Sequence, residues 1–178
     1  MPIRRLAPLI LVLPFAGPAS AEVKSVTPNG FEVATAATIA APPDRVYAAL
    51  GEVGRWWDPS HTFSRDAGNL GIELRAGGCF CERLKDDGSV QHLQVVYAAP
   101  GQGLRLRGAL GPLQTEGVDG TLSWTLKPGE DGTNVTLSYV LDGYIRGGME
   151  QWAPKVDRVL DEQLQRLKSY VESKSPAQ

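Results

Sequence analysis

Between Gly148 and Ser173, apolar residues return at steps of three and four: Met149, Trp152, Val156, Leu160, Leu164, Leu167 and Val171. Val159 thickens this stripe, while charged and polar residues from Lys155 to Lys168 fill the opposite side. The period predicts an amphipathic helix of about seven turns, and its stripe requires a partner surface. The residues ahead of it change period. Glu22 to Gly30 reads as a polar lead-in, and Phe31 to Ala40 alternates loosely and predicts a first strand. Ala41-Pro42-Pro43-Asp44 breaks that strand and opens a short helix, since proline suits a helix's first turn and an acid its positive end. Val46, Tyr47, Leu50 and Val53 continue it, and Gly51 and Gly54 keep it short. Arg55 to Phe63, with two tryptophans, a histidine and a phenylalanine, predicts a second short helix or a loop.

From Asn69 the punctuation is that of an antiparallel meander. Strands are predicted at Leu70–Ala76, Cys79–Lys85, Val90–Ala98, Gly103–Leu110, Thr121–Lys127 and Asn134–Asp142. Gly77-Gly78, Asp86-Asp87-Gly88, Pro100-Gly101, a longer loop at Gly111–Gly120 and Pro128–Gly132 separate them. Leu122, Trp124 and Leu126 share one strand face, and Val135, Leu137, Tyr139 and Leu141 another. Two packed sheets would leave the helix stripe without a home. A single sheet wrapped on the helix gives both one core. The expected fold class is therefore α+β: a curved antiparallel sheet of about six to seven strands on a long C-terminal helix, with two short helices after strand 1.

The first 21 residues stand apart. Arg4 and Arg5, the apolar run Leu6 to Phe15, and Ala19-Ser20-Ala21 have the form of a secretory signal peptide cleaved after Ala21. The expected organisation is a signal peptide at 1–21, a lead-in at 22–30, one domain at 31–174 and a tail at 175–178, in a periplasmic or secreted protein. Removing Arg4 and Arg5 moves the net charge from −2 to −4. Without a basic cluster, no nucleic-acid partner is expected. No later stretch is apolar and long enough for a stable membrane anchor, and the expected state is a monomer.

Cys79 and Cys81 are the only cysteines and leave the same face of a strand. Residues i and i+2 of a regular strand stand ~6.5–7 Å apart at Cα, the limit of disulfide geometry, so regular backbone favours free thiols and a kink permits a bridge. Plain packing, a disulfide and metal or redox work all stay open. A zinc tetrahedron of Cys79, Cys81, His92 and His61 depends on hairpin register. A three-residue turn at Asp86–Gly88 places His92 opposite Glu82, away from the cysteines. A two-residue turn at Asp87-Gly88 places it on their side. The first is favoured, and no metal or other cofactor is expected. Asp58, His61, Glu82, His92 and Tyr139 are the available acid–base groups, in no recognised catalytic spacing.

The order of elements resembles the START/SRPBCC superfamily, the helix-grip fold of polyketide cyclases and lipid-transfer domains. Residues 40–47 (AAPPDRVY) resemble its first strand-to-helix junction, and residues 76–82 (AGGCFCE) its Gly-Gly strand entry. Val156-Asp157-Arg158-Val159-Leu160, with Gln163 and Arg166-Leu167, is similar to the end of exported members labelled relatives of the Hsp90 ATPase activator. A cytosolic chaperone partner conflicts with the signal peptide. The resemblance covers roughly residues 31–173 and implies an apolar cavity between helix and sheet, lined by Leu104, Leu106, Trp124, Leu137, Tyr139, Trp152, Val156 and Leu160. Its entrance would lie near Trp56, Trp57, the Gly111–Gly120 loop and Met149. Together with Trp56, Trp57, His61, Cys79 and Cys81, the eight lining residues define the expected ligand-binding set. The expected function is binding of a small hydrophobic or lipid-like ligand without turnover. A cyclase or dehydratase using the same cavity, and a protein-interaction module with a filled core, are the alternatives.

Overall fold

The computed structural model describes residues 22–174, so the expected signal peptide and the 175–178 tail lie outside the described residues. Eight strands form one antiparallel sheet in the order β1-β2-β8-β7-β6-β5-β4-β3. They are β1 (Glu22–Thr27), β2 (Gly30–Ile39), β3 (Leu70–Ile72), β4 (Cys79–Arg83), β5 (Ser89–Ala99), β6 (Gly103–Arg107), β7 (Gly117–Gly129) and β8 (Gly132–Tyr144). The long helix α2 (Met149–Ser173) lies across β2 and β1 and meets the short helix α1 (Pro43–Gly51). The α+β helix-grip architecture stands, with one strand more than the upper expectation.

That extra strand is β1, within the segment expected to be a polar lead-in. Only Val23 and Val26 are apolar in Glu22–Thr27, and a backbone irregularity at Lys24 separates them. An edge strand pairs on one side only, so its ladder forms without an alternating apolar face. Other boundaries differ as well. The strand from Leu70 stops at Ile72; a 3-10 turn at Val53–Arg55 leads into Arg55–Phe63, which holds a second at Pro59–His61; and Gly111–Gly120 splits into a 3-10 turn, Gly111–Thr115, and the start of β7.

The core follows the expected faces. Phe31, Val33, Ala37 and Ile39 of β2, Leu104 and Leu106 of β6, Leu122, Trp124 and Leu126 of β7, and Val135, Leu137, Tyr139 and Leu141 of β8 are all buried. Leu160, Leu164, Leu167 and Val171 of α2 cover them. Each such leucine contributes roughly 1.5–3 kcal/mol of transfer free energy as an upper estimate. Thr35, small and buried under the helix, donates through Oγ1 to Asp161 Oδ1 at 2.6 Å.

The chain enters α2 through Gly147 and Gly148, both at φ +85°, a region that L side chains rarely adopt. Pro154 lies inside the helix, so the ladder bond to the Glu150 carbonyl is not made.

Candidate functional site

A cavity of about 380 Å³ lies beneath the N-terminal half of α2, toward the β3–β5 end of the sheet. Ligand pockets run from ~300 to ~1,000 Å³, so this one suits a small molecule. The helix contributes Trp152, Lys155, Val156, Val159 and Leu160. The sheet contributes Leu70, Phe80 and His92, and two segments close the remaining sides: Trp57 to Phe63, and Leu110 to Leu113.

The first segment is pinned at several points. The Trp57 indole N–H donates to the His61 carbonyl at 3.2 Å, and its ring packs edge-on to Phe80 with centroids 5.6 Å apart. The Asp58 carboxylate accepts from the Ser60 N–H at 2.7 Å, and the Asp58 N–H donates to the buried Gln163 side chain at 2.9 Å. Hydrogen bonds from Ser60, with Arg166 nearby, pull the Asp58 carboxyl down to about 2. His61 reaches Glu162 of α2 at 3.4 Å.

Beneath Phe63 lies a buried pair, Glu82 and His92, fully and almost fully enclosed at 0% and 4% exposure. The carboxylate accepts from the N–H groups of Phe63 (3.1 Å) and Ser64, and from His92 Nε2 at 3.0 Å. Burial pushes the Glu82 carboxyl up, but these hydrogen bonds outweigh it and hold the group below its ordinary range. Burial between Phe63 and Phe80 pushes the His92 imidazole down more than Glu82 raises it. The resting pair is thus a carboxylate and a neutral imidazole. Because an ionised carboxylate only accepts, the ring hydrogen is on Nε2. Nδ1 is buried and has no partner in the protein.

Register brings His92 here. Cys81 pairs with Gln91 and Phe80 with Leu93, leaving His92 as the extra residue of a β-bulge. His92 and Leu93 are consequently both buried. The turn uses Asp86 and Asp87, at φ +55° and +58°, so neither register expected from the sequence is adopted. His92 still meets Glu82 on the face away from the cysteines, as the favoured register required.

The opposite wall hangs from Tyr139. Its hydroxyl donates to the Gly108 carbonyl at 2.7 Å and accepts from the Leu110 N–H at 3.2 Å. Gly120 makes room for that ring, since a Cβ there would stand 2.6 Å from it. Below, Arg146 clamps the Glu116 carboxylate and the Thr115 carbonyl, and the Trp152 indole N–H donates to the Arg146 carbonyl at 3.1 Å.

Of the expected ligand-binding residues, Trp57, His61, Trp152, Val156 and Leu160 line the cavity. Leu104, Leu106, Trp124, Leu137 and Tyr139 belong to the packed core instead. Their part of the sheet is filled because Trp56 turns inward, donating to the Ala49 carbonyl at 2.8 Å and meeting Trp124 at 6.0 Å. The opening is displaced toward β3–β5, and Met149, fully buried, does not border it. Cys79 and Cys81 form a disulfide across a Cα separation of 5.3 Å, on the strand face opposite Phe80 and Glu82. That separation is shorter than a regular strand's, and it falls on β4 directly opposite the β5 bulge. Among the described residues, no three His, Cys, Asp or Glu side chains gather as a metal site. No described helix is long and apolar enough to cross a membrane. Phe63, Leu70, Phe80 and Leu110 are wall residues that the sequence did not assign to a ligand, while Gly111 to Leu113 come from the loop expected at the entrance.

A helix-grip sheet with an apolar hollow under its long helix is the architecture of the START/SRPBCC superfamily. Within it, the chain belongs to the polyketide cyclase/dehydrase and lipid transport family, whose model matches residues 30–172. Among solved structures, protein MLL2253 from Mesorhizobium loti superposes with a TM-score of 0.59 at 13% identity, covering 82% of this chain and 99% of that one. CalU16 from Micromonospora echinospora is similar with a TM-score of 0.58 at 18% identity, covering 90% and 88%. A protein from Rhizobium leguminosarum gives 0.58 at 18% identity, covering 87% and 98%. These likenesses are of fold. No curated protein matches in sequence.

Proposed function

We propose that this protein is an exported carrier of a small, mostly apolar molecule, held between α2, the Trp57–Phe63 segment and the Leu110–Leu113 segment. The observation behind this reading is the cavity itself: a hollow of about 380 Å³ walled by tryptophan, phenylalanine, leucine and valine side chains. A filled interior would have favoured an interaction module. A cyclase or dehydratase would need several polar groups converging on one point. Here the carboxylate of Glu82 is already engaged by three donors, Asp58 by Ser60, and His61 by Glu162. Binding without turnover is the better-supported role. The family description, which joins cyclases with lipid transport, supports a hydrophobic ligand in general terms. The N-terminal pattern of Arg4-Arg5, apolar run and Ala19-Ser20-Ala21 supports export to the periplasm or beyond.

The test is native mass spectrometry of the protein purified from its own host. A co-purified apolar mass, lost on mild activation, is expected, on a chain that begins at Glu22. A bare polypeptide that also shows no thermal shift with a panel of fatty acids, alcohols and sterols would contradict the carrier reading.

A further inference from the structure

We infer that the cavity selects neutral apolar molecules ending in a hydroxyl, alcoholic or phenolic, whose O–H donates to Nδ1 of His92. This rests on the ligand-binding reading above and specifies its chemistry. With Nε2–H committed to Glu82, the other ring nitrogen carries only a lone pair. That lone pair is buried and unpartnered within the protein, and His92 itself borders the cavity. A buried acceptor left unpaired is costly, so a donor arriving with the ligand recovers free energy that a purely apolar ligand cannot.

The surroundings set what else that donor can be attached to. The rings of Phe63 and Phe80 flank His92 with centroids 5.8 and 5.1 Å away, and Trp57 packs on Phe80. A carboxylate is the wrong end group here, because it only accepts and would face both the lone pair and the negative charge of Glu82 behind it. An ammonium would lose hydration that these walls do not replace. A fatty acid has another mode open to it: tail inward, with its carboxylate left beside the exposed Lys155 at the mouth. That mode does not use Nδ1, which makes such an acid a control.

The experiment is displacement of the neutral dye N-phenyl-1-naphthylamine from the purified chain at pH 8 by three ligands of one chain length. These are 1-decanol, decyl methyl ether and decanoate. The ether keeps the oxygen and lacks the hydrogen, so 1-decanol is expected to bind about tenfold more tightly than the ether. His92→Phe keeps the ring and removes the acceptor; it should bring 1-decanol down to the ether's level and leave decanoate unchanged. His92→Gln, which offers an N–H to Glu82 and a carbonyl to the ligand, should restore part of the preference. Equal binding of alcohol and ether by the wild type overturns the inference, as an ordered water held on Nδ1 would produce. So does a preference that survives in His92→Phe. If His92→Phe fails to fold, the wild-type comparison of alcohol and ether decides alone. Saturable dye binding with no alcohol preference overturns this inference only, whereas no saturable dye binding at all overturns the carrier reading with it.

Discussion

Replacing Glu82 by glutamine perturbs the most connected polar group beside the cavity while changing its shape very little. Three donors converge on this fully buried carboxylate: the N–H groups of Phe63 and Ser64, and Nε2–H of His92. Hydrogen bonds to a charged partner contribute about 1.5–3 kcal/mol each, and a glutamine retains an acceptor on one side only. On the other side its NH2 meets an N–H, unless His92 changes tautomer to accommodate it. A neutral side chain also escapes the cost of burying a charge, which works in the opposite direction. The sign is decided by the lowered carboxyl pKa: the fold favours the charged form, so neutralising the group destabilises it. The expected loss is about 2–4 kcal/mol, a fall in Tm of roughly 5–15 °C for a domain of this size. Urea unfolding followed by far-UV circular dichroism at pH 8 measures it. Because the folded pKa is depressed, the wild type holds this contribution fully above pH ~4.5 and loses it as pH falls through the lower folded value. The gap between wild type and Glu82→Gln should narrow in that acid range. Equal stability of the two proteins at pH 8 would show that the charged form is not favoured by the fold, as would a gap unchanged in acid.

Other expectations follow from the same geometry. Changing both Cys79 and Cys81 to serine opens a ring of three residues, which the chain-entropy relation values at about 1.6 kcal/mol. Because the bridge lies on the strand face away from Phe80 and Glu82, denaturation should register the change while dye affinity stays the same. His92 is held neutral by burial, with its pKa below the ordinary 6.5, so its contribution is intact above that value and lost as pH falls through the folded one. Wild-type stability should therefore decline on acidification before the Glu82 range is reached, and His92→Phe should lack this early phase in a pH series of urea midpoints. Arg146→Ala removes the clamp on Glu116 and Thr115, and stopped-flow release of the dye should become faster with little change in the unfolding midpoint.

The long helix, the alternating strands β7 and β8, and the proline-led α1 were legible because each buries one face against a single core, and that constraint writes a period into the sequence. The edge strand β1 was not, since one-sided backbone pairing asks little of its side chains. At the site, Trp57, His61, Trp152, Val156 and Leu160 were recognisable from their elements and from the family resemblance. Which apolar residues would fill the interior and which would border a hollow was not. That depends on Trp56 rotating inward against Trp124, and one tryptophan of a pair reads like the other. The position of His92 turned on a β-bulge and on a turn shifted to Asp86-Asp87. Alternation assumes one residue per partner, and a bulge breaks that count without leaving a compositional mark. The two cysteines stand within bridging distance beside the same irregularity, on the partner strand.

If a ligand sits in the hollow beneath α2, filling that hollow must expel it. Val156, half-buried on the cavity wall, is the position from which a larger side chain would occupy the hollow. Titration of N-phenyl-1-naphthylamine into the wild type and Val156→Trp, with unfolding midpoints measured alongside, tests this most directly. Saturable one-to-one binding to the wild type is expected, with at least a tenfold loss in a variant that remains folded. Unchanged dye affinity in a folded Val156→Trp protein would contradict that placement.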